Sequence, residues 1–311
     1  MPAQTIILNS RERFGSRVPS QALGGVLERI PGAVRQSVRM AIEGRSRAHG
    51  PRPAWLQAAT DIRFLGHQGD DQTVLRFEVP TLGEAAPRLY EQQELLPTMP
   101  AAENTGFDIL ADVFRDVASR NADSDRFDRP LLDSLAGFRK VLNGTFTEMV
   151  VPTQRTPKQP VVVTSQVAEI ARSLYTHTPP PQRIRLVGRL DMVRVSTQSF
   201  GLILDDRQEV RGVTVNGDIE SVGSLINQRV LVLGKAVYRP SARLLRVDAE
   251  EVVKTTEEGS FFSAIPRAVR RPFELRDALR QPNKGGVTAI IGQWPGDETD
   301  EEIRQALREL S

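Results

Sequence analysis

Three aspartates within one helical stretch are the residues whose spacing could support chemistry. Asp108, Asp112 and Asp116 stand four residues apart, so in a helix they share one face. Carboxylates stacked in this way can hold a divalent cation, because Mg²⁺ and Ca²⁺ take oxygen ligands. The same stripe also fits a solvated face of a surface helix. The spacing therefore makes a metal-dependent enzyme the third of three hypotheses for this chain.

Other chemistry-bearing residues lack the spacing that catalysis or metal binding requires. The three histidines are scattered and form neither an HxH nor an HExxH pattern. The acidic stretch 121–128 resembles a calcium loop, but Arg126 and Leu132 stand where the loop needs glycine and a carboxylate. No phosphate-binding glycine loop and no GxSxG nucleophile motif occurs in the sequence. We therefore expect a protein that is not an enzyme, with no catalytic residues, no metal and no cofactor.

The composition of the 311-residue chain indicates a folded protein without thiol chemistry. Cysteine is absent, so disulfides, thiolate metal sites and cysteine nucleophiles are excluded. Hydrophobic residues make up 39% of the chain, which is enough for a buried core. No apolar run reaches the roughly 18 residues of a transmembrane helix, and the first residues lack the features of a secretory signal. These features predict a cytoplasmic protein without membrane contact.

Arginine dominates the positive charge, and much of it lies near the N-terminus. The net charge is only +2, yet residues 1–60 carry nine arginines against three glutamates. Within this segment Arg35 and Arg39 are four residues apart and share a helix face. The segment is either a solvated helix surface or a basic arm that binds nucleic acid, and the sequence leaves both interpretations open.

The hydrophobic pattern predicts an α+β protein in four parts. Strand-like runs and helical stretches are mixed in the first half of the chain, and short strand-like runs dominate the region that follows. In order, the parts are a basic helical N-terminal arm (1–55), an α+β domain built of a hairpin and helices (56–178), a five-stranded barrel (179–254) and a helical C-terminal tail (255–311).

Local signals place individual elements in the first half of the chain. Two short helices are predicted over 18–29 and 33–44, with the break at Pro31, because proline cannot donate the helical hydrogen bond. Alternating apolar residues on both sides of Gly69 predict a β-hairpin over 60–80. A helix is expected over 105–120. The residues expected in the core are Ile62, Phe64, Leu75, Phe77 and Val79 of the hairpin and Phe107, Leu110, Phe114 and Val117 of the helix.

The stretch 182–253 carries the strongest architectural signal. Three strand-like runs, one short helix and two more strand-like runs follow one another, an order that resembles the OB-fold, a small closed barrel used as a binding platform. Gly188 and Gly234 are expected where the first and fourth strands coil sharply, because a strand bends most easily without a side chain. The residues expected inside are Ile184, Leu186, Leu190, Met192, Phe200, Leu202 and Leu204 of the strands and Ile219, Val222, Leu225 and Ile226 of the helix.

The surface of this barrel is basic but poor in aromatic residues. OB-folds bind single strands through a basic groove and through aromatic side chains on which bases stack. Here only Phe200 and Tyr238 are aromatic, and acidic residues nearly cancel the basic ones. Single-stranded nucleic-acid binding is therefore the alternative function, beside a structural or protein-binding barrel. The residues predicted to bind nucleic acid are Arg183, Arg185, Arg189, Arg211, Lys235 and Arg243.

The C-terminal sequence has the form of a capped amphipathic helix. Thr299 is placed to cap the helix, and Glu302, three residues on, to complete a capping box. A helix of about ten residues is not stable alone in water, so its apolar stripe must dock on this chain or in the groove of a partner. The residues predicted to bind a protein partner are Trp294, Pro295, Ile303, Leu307 and Leu310.

The same tail resembles a sequence found in bacterial toxin–antitoxin systems. Residues 292–303, which read GQWPGDETDEEI, are similar to the tails of small bacterial proteins encoded beside ribonuclease toxins of the PIN-domain class. The resemblance implies a non-enzymatic, antitoxin-like or defence-related regulator that binds a toxin or nuclease, with a PIN-type ribonuclease as the candidate partner. Such proteins are short and carry a DNA-binding half, whereas this chain is long and shows no helix-turn-helix signature.

Overall fold

The computed structural model of the chain describes residues 1–91, 99–153, 159–215, 219–255 and 264–268. These residues form an antiparallel sheet with helices, here called the first lobe, and a closed mixed barrel of five strands. The predicted mixture of helices and strands and the predicted barrel are therefore confirmed. The tail helix and every residue predicted to bind a protein partner lie outside the described residues.

The sheet of the first lobe is built around a strand from the start of the chain. Its order is β2-β3-β1-β4-β5, and the central strand β1 pairs with β3 on one side and with β4 on the other. Ile6 and Leu8 of β1 are fully buried in the core. The segment predicted to be a basic helical arm thus supplies the middle of the sheet. The strands are β1 (Ala3–Ser10), β2 (Arg63–Gln68), β3 (Thr73–Glu78), β4 (Phe146–Val151) and β5 (Val161–Thr164).

Helix α1 (Ser20–Glu43) is continuous, so the prediction of two short helices divided at Pro31 is wrong. Proline inside a helix costs roughly 3 kcal/mol, because it removes a hydrogen bond and crowds the preceding turn. Val26 and Ile30 before the proline and Val34 after it are buried in the same core. Each such side chain contributes about 1.5–3 kcal/mol on full burial. Burial along both halves of the helix therefore outweighs the proline.

The remaining elements of the first lobe largely follow the sequence signals. The predicted helix is confirmed as α5, with its four stripe residues buried, and the hairpin as β2 and β3. Phe64 is an exception: it is exposed, because β2 is the edge strand and carries a bulge next to this residue. The other helices are α2 (Ala54–Ala59), α3 (Leu82–Ala85), α4 (Pro87–Tyr90), α5 (Gly106–Ala118), α6 (Arg129–Ala136), α7 (Arg139–Leu142) and α8 (Ser165–His177).

The barrel has the predicted order of elements, three strands, a helix and two strands. Its strands follow the order β10-β8-β7-β6-β9 around the barrel, which closes where β9 pairs with β10. Strand β8 is parallel to β10, and the other neighbouring strands are antiparallel. This topology is compatible with an OB-like barrel. The elements are β6 (Gln182–Arg194), β7 (Ser199–Ile203), β8 (Glu209–Thr214), α9 (Ile219–Gly223), β9 (Arg229–Tyr238) and β10 (Leu244–Lys254).

The inward-facing residues of the barrel are mostly those predicted. Leu186 and Leu190 belong to its hydrophobic core, and Ile184 packs against that core. Met192 is 37% exposed instead of buried, because the pairing of β6 with β7 shifts just after Leu190 and a shift of one residue turns the side chain to the other face. Ile226 is 45% exposed, because α9 has already ended before this position.

Two glycines allow neighbouring barrel strands to approach closely. A Cβ atom on Gly188 would lie 2.7 Å from the carbonyl oxygen of Ile203, and one on Gly234 would lie 2.9 Å from the Cα of Ala249. Both distances are shorter than a methyl group tolerates against fixed backbone. Sharp coiling of the strands at these glycines stays a prediction; what requires glycine at both positions is the close approach of the adjacent strand.

Candidate functional site

An exposed basic patch on the barrel brings together half of the predicted nucleic-acid-binding residues. Arg183 and Arg185 alternate with core residues along β6, so both side chains face outward and are exposed. Lys235 lies directly opposite Arg183 on the neighbouring strand β9. We call these three residues the β6 patch. Proteins that bind single strands use a positively charged groove along the nucleic-acid backbone, so this patch is a candidate for such a contact.

Acidic neighbours neutralise part of the charge at and beside the β6 patch. Lys235 lies 3.3 Å from Glu250, and Arg189, further along β6, lies 3.3 Å from Asp191. Exposed ion pairs of this kind contribute about 0–1 kcal/mol, so a phosphate can replace the carboxylate at little cost. Arg183 and Arg185 form no ion pair with any residue that the structure describes. The free positive charge of the patch therefore lies on β6.

The described residues of the barrel offer no aromatic stacking surface next to these cations. Its two aromatic side chains, Phe200 and Tyr238, are both fully buried. A single strand held here would therefore be contacted through its backbone and not by base stacking, which predicts weak sequence preference and strong dependence on salt.

Arg211 and Arg243, also predicted to bind nucleic acid, lie in a cleft between the barrel and the first lobe. Arg243 is 3.6 Å from Asp123 of the first lobe. The Arg211 guanidinium donates a hydrogen bond of 3.2 Å to the carbonyl oxygen of Ile42, at the end of α1. Both arginines thus contact the other lobe, although both are also exposed to solvent.

The predicted aspartate stripe has structural partners within the first lobe. Asp108 is buried and completes a capping box at the start of α5. Asp112 forms an ion pair with Arg115, and Asp116 lies 2.9 Å from Arg126. Among the described residues, no group of three or more side chains is arranged to hold a metal ion. These contacts account for all three carboxylates without a cation.

A buried ion pair joins the two lobes. Arg246 of β10 lies 3.2 Å from Asp128, the N-cap of α6, and the two side chains are only 6% and 1% exposed. Arg246 also donates to the Gly44 carbonyl oxygen at 3.0 Å and to Asp248 at 2.7 Å, while the Ser46 amide donates to Asp128 at 3.0 Å. Burial alone lowers the pKa of Arg246, but the two carboxylates outweigh burial and hold the pKa above its ordinary value.

A second buried cluster reinforces this connection. Glu43 at the end of α1 accepts hydrogen bonds of 2.9 Å from both Arg39 and Arg45. Arg45 then reaches the barrel, where it donates to the Thr214 carbonyl oxygen at 3.1 Å and to the Gln198 side chain at 3.2 Å. Two arginines of the predicted basic arm are thus committed to internal contacts, which reduces the charge that the arm can offer to nucleic acid.

The loop that resembles a calcium site supplies further contacts with the barrel. Asp125 forms an ion pair with Arg239, and the Ser241 amide donates to the Ala122 carbonyl oxygen at 3.2 Å. The sequence contains a signal for this arrangement, since an acid-rich stretch (121–128) is matched by an arginine-rich one (239–246). Sequence reasoning missed it, because complementary charge alone does not say which distant segments meet.

The fold and these surfaces define a two-lobed α+β protein whose closed barrel is compatible with an OB-fold and which carries candidate binding surfaces. Comparison with known proteins assigns it to no family: no family model, no curated protein and no solved structure matches the chain. No helix in the described part of the chain is long and apolar enough to cross a membrane.

Proposed function

We propose that the chain is a non-enzymatic interaction protein whose C-terminal segment binds a protein partner, as in an antitoxin-like or defence-related regulator. The observation that supports this proposal is a contact between the barrel and residues 265 and 266, which precede the C-terminal segment. Ile265 packs against the barrel core, and the Tyr238 hydroxyl lies 3.5 Å from the Pro266 carbonyl oxygen. The chain just before the C-terminal sequence therefore contacts the barrel, in a body whose two lobes are joined by a buried ion pair.

The sequence beyond this point supports a partner contact. Ile303, Leu307 and Leu310 recur at helical spacing, and Trp294 with Pro295 adds a rigid apolar group before them. An amphipathic helix of this kind is recognised by a hydrophobic groove, with side chains at this spacing as anchors. The choice of a toxin or nuclease, and of a PIN-type ribonuclease in particular, rests on the resemblance of the tail sequence alone.

The double variant Trp294→Ala with Leu307→Ala should abolish capture of the partner. Buried aromatic and leucine anchors each contribute about 2 kcal/mol or more to such contacts, so losing two reduces affinity by about a thousandfold. The tagged full chain and the variant are used to capture proteins from a nuclease-treated native lysate, and the recovered protein is then titrated in purified form.

The matched control is Gln305→Ala with Glu309→Ala, on the polar side of the same predicted helix. The control should bind the purified partner like the unmodified chain. If the Trp294 and Leu307 double variant binds the partner as tightly as the unmodified chain, the proposal is wrong.

The second candidate function is binding of single-stranded nucleic acid, and the β6 patch is the observation that favours it. Arg183 and Arg185 are exposed and free of ion pairs with described residues, and Lys235 extends the cationic row across to β9. Contact through phosphates alone releases counterions, so the affinity must fall linearly with salt on logarithmic axes.

Changing both Arg183 and Arg185 to glutamine should reduce the salt dependence of binding. For single strands each phosphate contact contributes about −0.7 to the slope of log K against log salt. The slope of the double variant should therefore be less steep by roughly 1.4. Fluorescence anisotropy with an oligothymidylate of about 16 nucleotides, the upper site size of one such barrel, measures this slope.

The control carries the same change of charge on the first lobe, Arg139→Gln with Arg172→Gln, where both arginines are exposed. It should keep the slope of the unmodified chain. Absence of binding at low salt, or equal slopes for both double variants, would refute the nucleic-acid hypothesis.

A further inference from the structure

A cavity of about 970 Å³ lies between α1, α5 and the barrel strand β8, and neither proposed function uses it. Met40, Ile109 and Val113 supply buried apolar walls. The volume is at the upper end of the roughly 300–1,000 Å³ typical of small-molecule sites. A neighbouring cavity of about 720 Å³ shares Met40, Asp125 and Arg211 with it.

A buried hydroxyl that lines this cavity has no partner among the described residues. Ser37 of α1 is fully buried, and its side-chain oxygen makes no hydrogen bond within the described part of the chain. A buried polar group left unpaired is destabilising, and native proteins contain few of them. Asn104, which is only 4% exposed, places a second buried polar residue on the same cavity wall. The Ser37 hydroxyl is therefore a candidate donor to a molecule bound in this cavity.

Arg211 adds a positive charge that the described part of the protein does not neutralise by direct contact. Its guanidinium donates to one backbone carbonyl oxygen at 3.2 Å and forms no ion pair with a described residue. Arg126 and Arg239, which line the same cleft, are each paired with an aspartate. Burial and the charges of Arg246 and Arg194 lower the pKa of Arg211, and the charge of Asp125 opposes them only in part. A depressed arginine pKa is the expected result where a cation lacks an adjacent anion.

We propose that this cavity binds a phosphorylated small molecule with an apolar or aromatic body, about the size of a mononucleotide, whose phosphate pairs with Arg211. The guanidinium presents a planar fork of donors that matches two phosphate oxygens. The apolar walls hold the body of the ligand, and Ser37 and Asn104 fix its orientation, as a few placed polar groups do in apolar sites. The same phosphate monoester group occurs at the 5′ end of a phosphorylated nucleic-acid strand. The test therefore compares free mononucleotides with a 5′-phosphorylated dinucleotide.

Isothermal titration of the full chain with AMP, GMP, CMP and UMP tests the proposal. At least one nucleotide should bind at a single saturable site. The corresponding nucleoside should bind at least about tenfold more weakly, because the charge-assisted hydrogen bonds to the phosphate are lost. Arg211→Gln should weaken nucleotide binding to a similar extent. The matched control Arg139→Gln removes an exposed arginine of the first lobe and should bind like the unmodified chain.

A second variant separates binding from folding, because Arg211 also contacts the end of α1. Ala41→Leu fills the cavity wall without a change of charge and should block the nucleotide while the melting temperature stays within a few degrees. If a 5′-phosphorylated thymidine dinucleotide binds and none of the four mononucleotides does, the Arg211 contact is supported, and the phosphate that it recognises belongs to the end of a strand. No binding of any of these probes, or equal affinity of the Arg211→Gln variant, overturns the proposal.

Discussion

Replacing Asp128 by alanine should lower the free energy of unfolding by about 3–5 kcal/mol, because the change leaves the Arg246 guanidinium buried without its main counter-charge. The two side chains lie 3.2 Å apart and are almost completely buried. Asp128 also accepts the Ser46 amide and caps α6, so the variant loses a helix cap as well, an effect of about 1 kcal/mol. Urea unfolding followed by circular dichroism measures the loss.

The control for this prediction is an ion pair of the same type on the surface. Asp133 lies 3.1 Å from Arg172, and both side chains are about half exposed. Asp133→Ala should therefore change the free energy of unfolding by no more than about 1 kcal/mol. Adding Arg246→Met to Asp128→Ala should restore part of the stability, because an apolar replacement removes the stranded charge. A loss below about 1 kcal/mol for Asp128→Ala would contradict this account of the interface.

The interface also determines whether the lobes unfold together. Each lobe has its own hydrophobic core, and polar contacts dominate the described connections between them. Units with separate cores unfold independently when their coupling is lost. We therefore infer that the Arg246–Asp128 pair and the Glu43 cluster hold the cleft in one geometry, on which the placement of Arg211 depends.

Local periodicity is sufficient to predict several individual elements. The alternation of β6 is recognisable because a half-buried strand repeats every second residue, and the stripe of α5 because a helix repeats every 3.6 residues. The failures are where the tertiary structure overrides a local rule. Pro31 is tolerated because the core surrounds α1 on both sides of it, and Met192 is exposed because a register shift is invisible in one strand.

The candidate sites divide in the same way. The β6 patch follows from strand alternation, so the sequence alone assigns Arg183 and Arg185 to one surface. Asp128 and Arg246 are 118 residues apart in sequence, and nothing local pairs them. Strand alternation in β8 predicts that Arg211 lies on the outer surface of the barrel. It does not predict that the first lobe packs against that surface.

Replacing Gly234 by alanine should destabilise the barrel by about 3 kcal/mol, the upper end of the effect of overpacking. The new methyl group would meet the backbone of β10 at Asp248 and lie 2.9 Å from the Cα of Ala249. Backbone cannot rotate away as a side chain can, so β9 and β10 would have to separate where the barrel closes. Differential scanning calorimetry, which follows both lobes, measures the loss.

Gly24→Ala is the matched control, because a Cβ at Gly24 in α1 would have no neighbour within 4 Å. The same substitution there should increase stability by about 0.5–1 kcal/mol, since alanine has the higher helix propensity. The two variants should also differ in their effect on nucleic-acid binding. Gly234 pairs with Ile184, next to the Arg183–Lys235 pair, so Gly234→Ala should weaken oligothymidylate binding by the β6 patch, whereas Gly24→Ala should leave it unchanged. Equal stability of the two variants would mean that β9 and β10 do not approach as closely as this register requires.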